Sequence, residues 1–363
     1  MTLFADILLL ALALVAPKDG ATVPTLREDQ KAFIGAKRAD RVRVMTNAGL
    51  RRTLAARGGA QQPLKLEWTG ETNAVYDLTV VRDGGARQTF SIPGRTWAYV
   101  TNLELGAKYL WSVALAGSAE EASATFVTEA AAPRLLCAGG VLNLRDLGGW
   151  KGLGGRKVRQ GMVYRSAGLR SSARRKGGAL FGGSFEPGDR RVTEAGIAEL
   201  RDDLGVRTDL ELRTNQEAAC MTSSALGDDV AWVHVPFAAY DFIDNPVRGR
   251  EPFVTIFRTF LERKNYPILF HCSGGRDRTG TLAFILNGLL GVDGDDLCRD
   301  WEATVFCEES MKFGPTRLDR LLRYLRGLGG DSVAEQCRRY ALSCGVTEAE
   351  INTFREIMLE GGN

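Results

Sequence analysis

Residues 279–290 are apolar on every face, and a helix of that kind must be buried all round. The stretch that feeds it reads Asn265-Tyr-Pro-Ile-Leu-Phe-His-Cys-Ser-Gly-Gly-Arg-Asp-Arg-Thr-Gly-Thr281. Its first part, residues 266–270, is a short apolar run of the kind that forms a buried strand. A buried strand turning directly into a buried helix requires a sheet covered by helices, which makes this part of the chain α/β. The turn between them holds two glycines, two arginines and an aspartate. That mixture suits neither a core nor a plain linker.

The turn lies at the N-terminus of the predicted helix, where unpaired backbone N–H groups converge and the helix dipole adds positive potential. Gly274 and Gly275 let the backbone curl so that its N–H groups point inward, as in a nest for an anion of phosphate size. Cys272 opens the nest and faces the same potential, which favours a thiolate there. Arg278 closes it with a planar fork that can hold two phosphate oxygens, and Thr279 offers a hydroxyl to a departing thiolate. Together these groups suit in-line attack of sulfur on phosphorus. The GxxxxGK[ST] loop of nucleotide-driven enzymes is absent.

Composition narrows the rest. The chain has 363 residues, 44% hydrophobic and 25% charged, enough for two globular domains. A net charge of +3 does not call for nucleic acid. Two histidines rule out a His-rich metal site, and no metal or other cofactor is expected. Cysteines stand at 137, 220, 272, 298, 307, 337 and 344, an odd number without metal-binding spacing, so buried thiols plus one reactive thiol is the expectation. Residues 4–16 read either as the apolar core of a signal peptide or as a first strand running into a turn at Pro17-Lys-Asp-Gly20. The compartment stays open between cytoplasmic and exported. No later stretch is long and apolar enough to span a membrane.

Residues 25–57 are rich in helix formers, with Thr25 and Glu28 placed as a capping box. Beyond Gly58-Gly59, short alternating runs at 64–68, 76–80, 97–100, 109–115 and 124–127 are separated by turn residues, the pattern of an antiparallel sandwich. Leu103-Glu-Leu-Gly106 followed by Tyr109 resembles a stretch of fibronectin type III domains, in which the Tyr makes a corner, and Trp68 stands where such domains bury a Trp. Residues 1–132 are therefore expected to form a fibronectin type III-like all-β sandwich with a helical insertion at about 25–57. Residues 133–363 form the α/β part, with helix at 193–204 and 252–263, strands at 206–212 and 230–236, and a helical tail from 296. A basic stretch, 167–191, is either a solvated insertion or a substrate-facing loop.

His271-Cys-Ser-Gly-Gly-Arg-Asp-Arg-Thr279 resembles the HCx5R[ST] loop of the protein tyrosine phosphatase superfamily, and its Asp-Arg-Thr-Gly ending resembles the bacterial tyrosine/serine phosphatases that read HCxxGKDRTG. Asn143-Leu-Arg-Asp-Leu-Gly-Gly149, Gly161-Met-Val-Tyr-Arg-Ser-Ala167, Glu211-Leu-Arg213 with Glu217, and Asp300-Trp-Glu-Ala-Thr304 match further stretches of that family. The resemblance implies Cys272 as nucleophile, Arg278 as phosphate clamp, His271 as a support for the loop, and Asp277 as general acid, with Asp146, Asp241 and Asp244 as rivals. Ser273, Gly274, Gly275 and Arg276 would line the phosphate site, with Asp146 and Arg213 as further candidates. Two departures stand out: Arg276 replaces the family's lysine, and Glu211 its aspartate. Arg213 has a second reading as an ion pair with Glu217. The implied substrate is a phosphorylated protein (phosphotyrosine, with phosphoserine or phosphothreonine also open) or a phosphoinositide. A non-catalytic phosphate-binding or adhesion module and a phytase-like inositol phosphate phosphatase are the alternatives.

Overall fold

The structure is a computed structural model that describes residues 12–85, 87–175, 185–236, 246–307 and 316–361. The chain divides into two compact units, Met1–Arg27 with Gln61–Ala132, and Glu28–Ala60 with Pro133–Asn363.

The first unit carries β1 (Leu14–Ala16), β2 (Ala21–Val23), β3 (Leu64–Trp68), β4 (Val75–Arg82), β5 (Arg87–Pro93), β6 (Trp97–Val100), β7 (Lys108–Leu115) and β8 (Glu121–Thr128). They form two sheets, β1-β3-β6 and β2-β8-β7-β4-β5. Alternate residues of both sheets, among them Leu66, Trp68, Leu78, Trp111 and Phe126, meet in one core. Tyr109 stacks on Phe126, and its hydroxyl accepts a hydrogen bond from the Glu104 amide at 2.8 Å. The first part of the apolar stretch 4–16 lies outside the described residues; its end is β1, paired with β3.

The second unit begins with α1 (Glu28–Gly35), α2 (Arg38–Thr46) and α3 (Ala48–Ala55). This corrects the expectation that the helical stretch is an insertion of the β domain. The reason is electrostatic: Arg38 and Arg41 pair with Asp295, Glu302 and Asp319, all distant in sequence and all in the second unit. The expected capping box does not form, because the Thr25 hydroxyl is buried without a hydrogen-bond partner.

The second unit's main sheet takes the order β14-β13-β15-β10-β9, with β9 (Arg145–Asp146), β10 (Val163–Ala167), β13 (Thr208–Glu211), β14 (Ala231–His234) and β15 (Ile268–Cys272). All pairs are parallel except β9 with β10. A separate ribbon joins β11 (Arg174–Arg175) to β12 (Phe185–Glu186). The helices are α4 (Glu194–Ala198, running on as a π turn), α5 (Pro246–Thr259), α6 (Arg278–Leu289), α7 (Gly294–Glu302, running on as a 3-10 turn Ala303–Phe306), α8 (Thr316–Gly327), α9 (Val333–Cys344) and α10 (Glu348–Met358). Every residue of α6 is buried, as its sequence demands. The helix expected at 252–263 starts earlier and carries Pro252 inside it. Among the described residues no helix is long and apolar enough to cross a membrane.

Candidate active site

In an open parallel sheet, ligands sit beyond the carboxyl ends of the strands. Three loops meet there: 273–277 after β15, 168–173 after β10 and 212–217 after β13. The Gly168 amide donates to the Ser273 carbonyl at 3.2 Å, and the Ala173 amide to the Glu217 carbonyl at 2.8 Å. Ser172 Oγ lies 3.4 Å from Ser273 Oγ. The first described part of the basic stretch thus borders the loop after β15. Residues 176–184 lie outside the described residues.

The loop is tied down from below through its carbonyls. Asn143 Nδ2 donates to the Gly274 carbonyl at 3.1 Å, and Arg165 donates to the Gly275 carbonyl at 2.7 Å. Carbonyls held that way leave the loop's N–H groups free to turn to the other side, which is what an anion nest needs. Gly275 is required twice over. Its φ is +67°, and a Cβ there would stand 2.4 Å from the Ser166 carbonyl oxygen. The two tethering side chains are themselves fixed: Arg145 donates to Asp300 at 2.9 Å and also to Asn143 Oδ1, while Arg165 bonds the other Asp300 oxygen. Arg145, Arg165 and Asp300 are all buried. Burial, then the neighbouring Arg145, brings the Arg165 guanidinium down to about 10. Burial opposes the charge on Asp300, but Arg165 and Arg145 outweigh it and hold the carboxyl low.

Cys272 ends β15, buried, with Ala167 opposite it on β10. His271 is buried beside it in sequence. Its Nε2 meets Asp209 Oδ1 at 2.7 Å, and its Nδ1 lies 3.8 Å from Glu211 Oε2. Burial works against an imidazolium here, but Glu211 and Asp209 outweigh it and raise the His271 pKa. Thr279 Oγ1 is buried at the start of α6 without a hydrogen-bond partner, an available donor at the base of the loop.

Arg278 is gripped from the side. Its NH1 and NH2 reach the two oxygens of Glu217 at 2.6 and 2.8 Å. Ser273 Oγ donates to the same carboxylate at 2.9 Å, as do the Thr214 amide and hydroxyl at 3.0 and 2.9 Å. Burial alone would raise the Glu217 carboxyl; Arg278, Thr214 and Ser273 outweigh it and bring it down to about 2. A carboxyl depressed in the fold stabilises it above its unfolded value and loses that contribution as pH falls toward the folded one. The urea midpoint of wild type should therefore exceed that of Glu217→Gln at pH 7. The gap should narrow by pH 3, and a gap that stays constant would contradict the assignment.

Asp277 is held by two arginines. Arg276 spans both of its oxygens at 2.9 and 3.0 Å, and Arg317 on α8 reaches Oδ2 at 2.7 Å. Burial opposes ionisation, but Arg276 and Arg317 outweigh it and keep the carboxyl low.

Two further candidates are held in buried ion pairs. Asp146 is wholly buried on β9 and accepts from Arg134, Gly148 and Gly161, so burial and these bonds commit it to the scaffold. Arg213 is paired with Glu211, not Glu217: Nε to Oε1 at 2.9 Å and NH2 to Oε2 at 2.6 Å. Residues 215–220 form turns rather than a helix, so the helical spacing that suggested the Glu217 pair does not exist. Asp241 and Asp244 lie outside the described residues. Glu217, Asn143, Arg145, Arg165 and Asp300 are the residues that the sequence placed in matching motifs without giving them these roles.

The sequence profile of the tyrosine phosphatase family matches residues 136–180 and 189–360. The chain belongs to that family. A Cupriavidus necator protein that carries the provisional name tyrosine-protein phosphatase is 31% identical over 206 residues, 50% of this chain and 66% of that protein. The chain thus spans just under two thirds of that relative's length. The core catalytic domain of the PP-IP phosphatase SIW14 from S. cerevisiae, solved with citrate, aligns with 45% of this chain and 80% of its own. Its identity is 15% and its TM-score 0.30, too low to bear on fold or substrate.

Proposed function

We propose that the chain hydrolyses phosphate monoesters through a cysteinyl-phosphate, with phosphotyrosine as the substrate class that the family name suggests. The observation that carries the reading is the loop 273–277 between β15 and α6, tethered by its Gly274 and Gly275 carbonyls, with Cys272 at one end and Arg278 at the other. Cys272 Sγ forms a bond to phosphorus as the ester oxygen leaves with a proton. The loop N–H groups and Arg278 carry the charge on the equatorial oxygens. Water then cleaves the S–P bond, giving orthophosphate and the free thiolate. Arg213 and Asp146 take no part in this scheme. EDTA-resistant hydrolysis of p-nitrophenyl phosphate under reducing conditions tests it, and folded protein without turnover would overturn it.

Asp277 is the acid in this scheme, although Arg276 and Arg317 keep it ionised in the structure. To donate a proton it must shed part of that grip when substrate binds. Its ionised form already suits the second step, in which it draws a proton from water. Asp277→Asn should therefore slow steady turnover by about 10²-fold or more. With p-nitrophenyl phosphate, whose leaving group needs little protonation, a burst of about one equivalent should precede the slow phase. With phenyl phosphate the burst itself should vanish. Rapid-mixing absorbance separates the two, and unchanged turnover on both esters would remove Asp277 from the mechanism.

For the first unit, a fibronectin type III-like domain is the reading we favour. The two-sheet core, buried Trp68 and the Tyr109 hydroxyl bonded to the Glu104 amide support it.

A further inference from the structure

The family profile begins at residue 136, so α1–α3 lie outside the match, although they belong to the same compact unit as the site. Arg41 on α2 is fully buried there. Its Nε reaches Glu302 Oε2 at 2.5 Å, its NH2 reaches Asp295 Oδ1 at 2.6 Å, and its NH1 reaches the Ala36 carbonyl at 2.6 Å. Arg38 adds a bond to the other Glu302 oxygen at 3.1 Å. Glu302 is also wholly buried.

Glu302 occupies the segment that holds up the phosphate loop. Asp300 binds Arg145 and Arg165, and Thr304 Oγ1 accepts from Asn143 at 3.4 Å and Arg145 at 3.3 Å. On a helical path, residues 300 and 304 share a face, while residue 302 points away from them. The segment 300–304 is therefore gripped on one face by the loop's tethers and on the other by α2. Its position fixes Arg165 and Asn143, and these fix the carbonyls of Gly275 and Gly274.

We propose that Arg41 is a positioning residue for phosphoryl transfer, acting through Glu302 and the Asp300–Arg165 link to hold the loop in its transition-state shape. This rests on reading residues 272–278 as a phosphate loop. A loop that has lost its backing still accepts tetrahedral phosphate. It loses more of its affinity for a five-coordinate oxyanion, which demands that the nucleophile and the N–H groups stay aligned.

The test is calorimetric titration of the full chain with orthovanadate and, separately, with inorganic phosphate. Wild type, Arg41→Met, Arg41→Lys and the exposed neighbour Arg43→Ala are compared, and each is checked by thermal melting. Arg41→Met should lose about tenfold in vanadate affinity and less than about threefold in phosphate affinity. Arg41→Lys keeps the charge but lacks the fork that reaches Glu302 and Asp295 together, so it should show the same skew at smaller size and serves if Arg41→Met does not fold. Arg43→Ala should match wild type. A lower melting point with an unchanged vanadate-to-phosphate ratio in the folded variants would make Arg41 merely structural and overturn the proposal. Wild type that binds neither anion would overturn the loop reading, and this proposal with it.

Discussion

Cys272→Ser is expected to remove turnover of p-nitrophenyl phosphate by about 10³-fold or more while leaving the protein folded and able to bind phosphate. The replaced atom is buried at the end of β15, so the change is one sulfur for one oxygen in a packed site. The hydroxyl fits, which is why folding and anion affinity should survive. A serine hydroxyl stays protonated at neutral pH, and among the described residues no base is aimed at it. His271 has its Nε2 on Asp209, and Asp277 is occupied by Arg276 and Arg317. A thiol is intrinsically far more acidic and more nucleophilic than a serine hydroxyl, so sulfur depends much less on such a base. The check is steady-state turnover together with phosphate binding and melting temperature. Retained turnover in Cys272→Ser would point to another nucleophile. Lost phosphate binding would mean that the variant had disturbed the cradle itself, and the kinetic result would then say nothing of sulfur.

The strand, turn and helix of this site could be read from residue order because each answers to a local rule. An all-round apolar helix has to be buried, and glycines at 274 and 275 have few uses other than a tight curl. The sandwich strands were visible for the same kind of reason, their two-residue alternation. Edge strand β5 escapes that rule because it is exposed at most positions and alternates too little. What could not be read was which charges find each other. Glu211, Glu217 and Arg213 lie within seven residues, and helical spacing suggested the wrong pair, because the chain turns rather than coils after β13. Arg41 with Glu302, and Arg165 with Asp300, are separated by 261 and 135 residues, and no local pattern links them. The helical stretch adjoins the β domain in sequence, yet its long-range ion pairs belong to the other unit.

Asp300→Ala should be the most damaging substitution outside the loop itself. Asp300 pairs with both Arg145 and Arg165, and all three are buried. Removing it leaves two guanidinium groups facing each other out of water, and breaking a buried ion pair from one side costs about 3–5 kcal/mol. For a unit of this size that corresponds to a fall in melting temperature of about 5–10 °C. Activity should fall even at temperatures where the variant is folded, because Arg165 then has no anchor from which to hold the Gly275 carbonyl. Arg165→Met provides the contrast. It leaves Asp300 paired with Arg145 and removes a guanidinium whose pKa burial has already lowered, so its melting point should drop less than that of Asp300→Ala. Its turnover should nonetheless fall comparably, since the same carbonyl is released. Melting curves and steady-state kinetics on both variants decide the matter. If Arg165→Met keeps wild-type turnover, the Gly275 tether is dispensable and Asp300 acts on stability alone. If the two variants lose turnover alike but differ in melting temperature, the buried network serves stability through its charge balance and catalysis through the one bond it sends into the loop.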